Sequence, residues 1–101
     1  MITLVDYGLG NILAFSNLFR RQNLEVAIAK NAAELQGAAR IILPGVGAFD
    51  HAMERLEASG MRAVLEELVQ QRRVPLLGVC VGMQMLATKS DEGARGGLGF
   101  I

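Results

Sequence analysis

Apolar residues follow two alternating periods along this chain. Short apolar segments of strand length occur at residues 2–6, 25–30, 40–43 and 74–79. Helical periodicity occupies the intervals, at residues 12–22, 31–39, 49–58, 61–72 and 81–87. Buried strands that alternate with amphipathic helices indicate βαβ crossovers and a parallel sheet covered on both faces. The pattern therefore predicts an α/β fold of the doubly wound class.

The first predicted helix illustrates the pattern. Asn11 is a good N-cap, and Ile12, Phe15, Leu18 and Phe19 are predicted to share its apolar face. Basic residues close the last turn, where cations are favoured. The segment between the first strand and this helix is a glycine-rich turn.

Length and composition limit the classes of protein that are possible. The chain has 101 residues, 51% of them hydrophobic, which suits one domain or part of one. Lys+Arg and Asp+Glu are equal at 10 each, so no nucleic-acid surface is indicated. One cysteine and no signal peptide favour the cytoplasm, and the apolar runs are too short to span a membrane. The last apolar run stops soon after it starts, so we expect residues 1–101 to be the amino-terminal part of a single domain.

The fourth predicted strand leads directly into a cysteine motif. Cys80 stands between this strand and a helix, with Gly78 and Gly82 two residues away on either side. This is G-x-C-x-G, the thiol form of the nucleophile elbow, in which the nucleophile has a strained backbone and small neighbours let the turn pack. A helix amino terminus favours a negative sulfur, and the Val81 N–H is the natural first donor of an oxyanion hole. The alternative is that Cys80 is a buried core cysteine, since free cysteines are often buried.

A second glycine-rich loop follows the third predicted strand. Pro44 lacks an amide proton and is expected to end that strand, and Gly45 and Gly47 follow it. If the third and fourth strands are close, backbone amides of this loop face the thiol across the carboxyl ends of the sheet. The loop could then supply the second oxyanion donor, although an ordinary turn between a strand and a helix has the same composition.

The segment from Gly78 to Gln84 resembles the nucleophile segment of class I glutamine amidotransferases. Three further segments are similar to the glutaminase subunits of imidazole glycerol phosphate synthases. They are Asp6-Tyr7-Gly8-Leu9-Gly10-Asn11, Pro44-Gly45-Val46-Gly47-Ala48-Phe49, and Lys89-Ser90-Asp91-Glu92-Gly93 with Gly97-Leu98-Gly99. The resemblance covers the whole chain in the right order. It implies glutamine hydrolysis and transfer of the ammonia to a partner cyclase subunit in histidine biosynthesis, without a cofactor or metal.

The resemblance also implies roles for individual residues. Cys80 would form the glutamyl thioester, and Val46 and Val81 would provide the oxyanion hole. Gly47, Gln84 and Glu92 would line the glutamine site. Gly10 and Asn11 would lie near the cyclase.

The resemblance also implies that something is missing. The family's catalytic histidine and glutamate belong to a carboxyl-terminal half that has no counterpart in these residues, and His51, at the start of a helix, is expected to have a surface or capping role. General-base loss typically costs ~10²- to 10⁴-fold in rate, so we expect residues 1–101 alone to be nearly inactive.

Three rival interpretations stay open on the sequence. One is a different elbow-cysteine enzyme of this architecture, such as a protease-like or deglycase-like relative. Another is a nucleotide-binding module, because Gly8-Leu9-Gly10 lies between a strand and a helix as in a dinucleotide fingerprint, although Leu13 replaces the third glycine. The third is an interaction fragment with an exposed apolar sheet edge.

Overall fold

Four parallel strands form the sheet of this protein. The computed structural model describes residues 1–80, 82, 85, 86 and 97–100. The strands are β1 (Ile2–Val5), β2 (Val26–Ala29), β3 (Ile41–Gly45) and β4 (Leu76–Cys80). Their spatial order is β2-β1-β3-β4, with every neighbouring pair parallel. The predicted α/β class with a parallel sheet is confirmed.

Helices connect successive strands. They are α1 (Ile12–Arg21), α2 (Ala32–Leu35), α3 (Phe49–Ala58) and α4 (Arg62–Glu66), and a π-helical segment, Glu67–Gln71, continues α4. The two halves of the predicted helix at 61–72 are therefore continuous but differ in hydrogen bonding, since Arg72 N–H donates to Glu67 O five residues earlier. The predicted helix at 31–39 is shorter than expected.

The main core lies between one face of the sheet and helices α2 to α4. Val5, Ile41 and Leu43 alternate along their strands and point to this face. The helices contribute large apolar side chains: Leu35, Phe49, Met53, Leu56, Val64, Leu65 and Leu68. The helical periodicity at residues 49–58 and 61–72 is therefore that of helices whose apolar faces pack on the core.

Helix α1 differs from its prediction at one position. Ser16 is fully buried and Ile12, Phe15 and Phe19 are half-buried, whereas Leu18 is 48% exposed. At 100° per residue, Leu18 lies about 110° from the centre of the face that the other four define. The prediction that Leu18 belongs to the apolar face is wrong, because Ser16 takes the inward position.

Strand β3 also differs from its prediction, because it continues through Pro44 and Gly45. Backbone groups of successive residues in a strand point to opposite neighbours, and Ile41 N–H donates to Pro75 O on the β4 side. The Pro44 backbone therefore faces β1, whose pairing with β3 ends at Leu4 and Ile42. Proline is tolerated there because no ladder bond to β1 requires its missing amide proton.

Candidate active site at the elbow

Cys80 ends strand β4 in a left-handed backbone conformation. Its φ is +58°, which is unusual for a residue with a side chain. The strain predicted for a nucleophile elbow is therefore present at this residue. The side chain is exposed, so the interpretation of Cys80 as a buried core cysteine is wrong.

Gly82 allows the turn after Cys80 to pack closely on β3. A Cβ added to Gly82 would overlap the backbone carbonyl oxygen of Leu43. Gly82 and Met85 are helical, in agreement with a helix after the elbow, although most of the predicted range 81–87 lies outside the described residues. The requirement for a small residue on the helix side of the cysteine is therefore steric.

The glycine-rich loop lies beside the cysteine. Strands β3 and β4 are neighbours, and their register pairs Gly45 with Cys80. Adjacent strands are about 4.8 Å apart, so the backbone that follows Gly45 begins next to the thiol. Val46 and Gly47 are exposed there, and Gly47 has a φ of +93°. The expected closeness of the third and fourth strands is confirmed.

Tyr7 connects the first loop to this region. Its side chain is only 2% exposed, and its hydroxyl donates to the Pro44 carbonyl oxygen at 2.7 Å. Met85 Sδ lies 3.4 Å from the same hydroxyl. Burial raises the pKa of Tyr7, so the phenol stays protonated and remains a donor. The sequence indicated only that Tyr7 is in a turn. It did not indicate that the Tyr7 side chain is buried or that its hydroxyl reaches Pro44.

The loop at Gly10 and Asn11 also approaches Pro44. A Cβ added to Gly10 would lie 3.1 Å from Pro44 Cβ. Asn11 is exposed and caps α1 as predicted, since its Oδ1 accepts the Ala14 N–H at 3.2 Å. The first loop and the glycine-rich loop thus form one surface at the carboxyl ends of β1 and β3.

The structure describes only one of the four other residues considered from the sequence. Val81, Gln84 and Glu92 lie outside the described residues. His51 is exposed on α3, in accordance with the surface role expected of it. A polar pocket of about 350 Å³ at Asp6, Lys30, Arg55 and Ser59 does not include Cys80 among its lining residues.

Neither a cluster of metal ligands nor a membrane-spanning helix is present in the described part of the chain. No group of three or more His, Cys, Asp or Glu side chains there is arranged to hold a metal ion. Among the same residues, no helix combines the length and apolar character that crossing a membrane requires.

An elbow cysteine beside a glycine-rich loop on a parallel sheet is the arrangement of a class of thiol enzymes. Comparison with known proteins identifies the family. The family model described as glutamine amidotransferase class-I matches residues 3–92. The chain belongs to this family. A solved structure described as "Crystal structure of glutamine amidotransferase" superposes with a TM-score of 0.81, at 19% identity, over 97% of this chain and 51% of the other. At that identity the superposition supports the fold alone.

Curated relatives carry a more particular name. A protein of Bdellovibrio bacteriovorus named imidazole glycerol phosphate synthase subunit HisH is 64% identical over all 101 residues. Proteins of the same name from Leptospira interrogans and Leptospira borgpetersenii are each 50% identical over the same length. Each alignment covers 50% of the relative, so the chain spans about half the length of these curated relatives.

Proposed function

We propose that this chain is the amino-terminal part of a glutaminase domain that releases ammonia from glutamine for imidazole glycerol phosphate synthase. Cys80 carries the proposal, because it combines a left-handed backbone, an exposed thiol and a tightly packed turn at Gly82. The similarity to the HisH subunits over all 101 residues supports a role in histidine biosynthesis. The proposed location is the cytoplasm, where reducing conditions keep a single free thiol reduced.

The proposed reaction passes through a thioester at Cys80. The thiolate attacks the side-chain carboxamide carbon of glutamine, an Sγ–C bond forms, and the carbonyl electron pair moves to oxygen. Collapse of the tetrahedral intermediate breaks the C–N bond. The nitrogen takes up the proton that the thiol gave to the general base and leaves as ammonia. Water then attacks the thioester, which yields glutamate and restores the thiol.

Backbone amides near Cys80 are the proposed stabilisers of the oxyanion. Val46 follows the residue that pairs with Cys80 in the sheet, so its amide region is near the developing charge. The amide of Val81, directly after the proposed nucleophile, is the other proposed donor, by analogy with other nucleophile elbows. Loss of one such donor typically costs ~10²- to 10³-fold in kcat.

Glutamine recognition is assigned to residues around the same edge. Gly47 is exposed two residues beyond Gly45, the partner of Cys80 in the sheet, and a Cβ added to it would meet no atom within 4 Å, so the surface there has room for the substrate. We assign Gln84 and Glu92 to the same site on the strength of the family resemblance. We propose that the proton acceptor for Cys80 comes from the half of the curated relatives' length that these 101 residues do not span. The family resemblance gives His51, the single histidine here, no catalytic role.

The proposed partner is a cyclase subunit that receives the ammonia in a heterodimer. The names of the relatives support this, since each is called a subunit of the synthase. Gly10 and Asn11 are the proposed contact residues, because they border the same sheet edge as the thiol.

A glutamine analogue that alkylates thiols tests the proposal in the full-length gene product bound to its cyclase. We expect stoichiometric labelling of the peptide that contains Cys80, loss of labelling in Cys80→Ala, and ammonia release from glutamine in the unlabelled protein. Labelling by iodoacetamide with no labelling by the analogue would instead favour another elbow-cysteine enzyme. The intact mass of the gene product, expected near twice that of these 101 residues, tests whether the rest of the domain exists.

A further inference from the structure

The Tyr7 hydroxyl makes a hydrogen bond that neither the elbow nor the sheet explains. It lies in the core, 2% exposed, and donates to Pro44 O at 2.7 Å across 37 residues of sequence. The acceptor is the residue directly before Gly45, which pairs with Cys80. A buried side chain is thus attached to the start of the loop that lies beside the thiol.

The bond replaces sheet pairing at the end of β3. Pairing between β1 and β3 ends at Leu4 and Ile42, so nothing in that ladder holds Pro44 from the β1 side. The Pro44 carbonyl faces that side, and its buried oxygen requires a donor. Tyr7, two residues beyond the end of β1, supplies the donor from its side chain.

The same ring also contacts the helix that follows the cysteine. Met85 is fully buried and its Sδ lies 3.4 Å from Tyr7 Oη. One hydroxyl carries one proton, and the carbonyl oxygen is both nearer and the stronger acceptor, so the sulfur contact is one of packing. Tyr7 therefore lies where the first loop, the end of β3 and the helix after Cys80 meet.

We propose that Tyr7 is a positioning residue, whose hydroxyl fixes the Pro44 carbonyl and thereby aims the Gly45–Gly47 backbone at the oxyanion formed on Cys80. The inference rests on the proposed glutaminase function. Without the hydroxyl, the Pro44–Gly45 peptide loses its restraint on the β1 side, and loop amides spend less time in the orientation that the oxyanion needs. The oxyanion forms only after the thiol has attacked, so we expect the loss to fall mainly on kcat.

Tyr7→Phe tests this in the full-length gene product bound to its cyclase. We expect kcat for glutamine hydrolysis to fall roughly tenfold with KM unchanged, the size of one buried hydrogen bond. Alkylation of Cys80 by iodoacetamide forms no oxyanion and should keep its rate. Replacement of Tyr7 by p-aminophenylalanine, which restores a donor on the same ring, should recover most of kcat.

Ser59→Ala is the matched control. Ser59 Oγ also donates to a backbone carbonyl, that of Leu56 at 2.5 Å, but at the end of α3. The Ser59→Ala variant should therefore have the kcat of the wild type. An unchanged kcat in Tyr7→Phe, or an equal fall in iodoacetamide alkylation, would overturn the proposal.

A measurement without turnover separates this inference from the proposed function. In Tyr7→Phe, amide exchange at Gly45 should accelerate and NMR order parameters at Val46 and Gly47 should fall, while α3 amides stay unchanged. Unchanged values at all three residues would refute the positioning role even in an active enzyme. A wild-type protein with no glutaminase activity would refute the proposed function, and the exchange result would still decide whether Tyr7 holds the loop.

Discussion

At the scale of single residues, Gly82 is the position in the elbow where the added methyl group of alanine would not fit. In Gly82→Ala the added Cβ would overlap the Leu43 carbonyl, and backbone cannot yield as a side-chain tip can. We expect the free energy of unfolding to fall by about 1 to 3 kcal/mol and the reactivity of Cys80 to change with it. Denaturant unfolding and thiol alkylation measure the two effects.

Gly37 provides the matched control for that substitution. A Cβ added there meets no atom within 4 Å, and its φ is not in the left-handed region. Gly37→Ala should lower the free energy of unfolding by no more than about 0.5 kcal/mol. It can also raise it, because alanine reduces the conformational entropy of the unfolded chain. Equal losses in the two variants would contradict the steric explanation.

Tyr7 should make stability depend on alkaline pH. Burial raises its pKa, so the unfolded chain loses the phenolic proton first, near the ordinary value of about 10. The stability that neutral Tyr7 provides is therefore complete below about pH 10 and is lost progressively as the pH rises toward the higher folded pKa. Denaturant midpoints should fall more steeply above pH 10 in the wild type than in Tyr7→Phe, and parallel curves would show that the phenol titrates freely.

At the scale of secondary-structure elements, two helices begin with the same kind of cap. Asn11 Oδ1 accepts Ala14 N–H at 3.2 Å before α1, and Asn31 Oδ1 accepts Glu34 N–H at 3.0 Å before α2. Replacement of either asparagine by alanine should cost about 1 kcal/mol of stability, whereas aspartate should retain the cap. Thermal or denaturant unfolding checks this expectation.

The two caps differ in their proposed relation to the cyclase. Only Asn11 lies in the loop next to Pro44, so only Asn11→Ala should weaken binding of the cyclase, as measured by calorimetry. Asn31→Ala controls for the loss of a cap alone. Equal weakening in both variants would mean that helix stability, and not a contact at Asn11, governs association.

At the scale of the whole molecule, β4 leaves apolar surface uncovered. It is at one end of the strand order, and Leu77 is 59% exposed on the face that Ile42 shares. Within the described part of the chain, no strand pairs with its outer edge. Open edges and exposed apolar faces promote association, so the isolated 101 residues should be marginally stable and self-associate.

Leu77→Lys tests that expectation. The charge should reduce concentration-dependent association of the isolated chain in sedimentation experiments, because it interrupts the apolar face at the open edge. Leu24→Lys is a control, since Leu24 is also exposed, at 44%, but lies outside β4. A monomeric wild-type chain with a cooperative thermal transition would show that the uncovered face is tolerated.

The class of fold and the position of the elbow cysteine could be predicted from the sequence, because both depend on local order. Apolar periods of two kinds specify strands and helices, and glycines around Cys80 specify a sharp turn between them. The same local information failed at Leu18 and at Pro44. The rotation of α1 about its axis depends on the elements that pack against it, and the point where β1–β3 pairing ends depends on the length of both strands. Neither is a local property of the sequence.

Which loops lie beside the Cys80 thiol depends on strand order and register, and these are properties of the tertiary structure. The strand order β2-β1-β3-β4 places β3 beside β4, and register then pairs Gly45 with Cys80. The same fold brings the Tyr7 hydroxyl to the Pro44 carbonyl, although the two residues are 37 positions apart in the sequence. A hydrogen bond between residues so far apart leaves no mark on the local pattern, because it depends on how the strands are paired, not on the residues next to it in the chain.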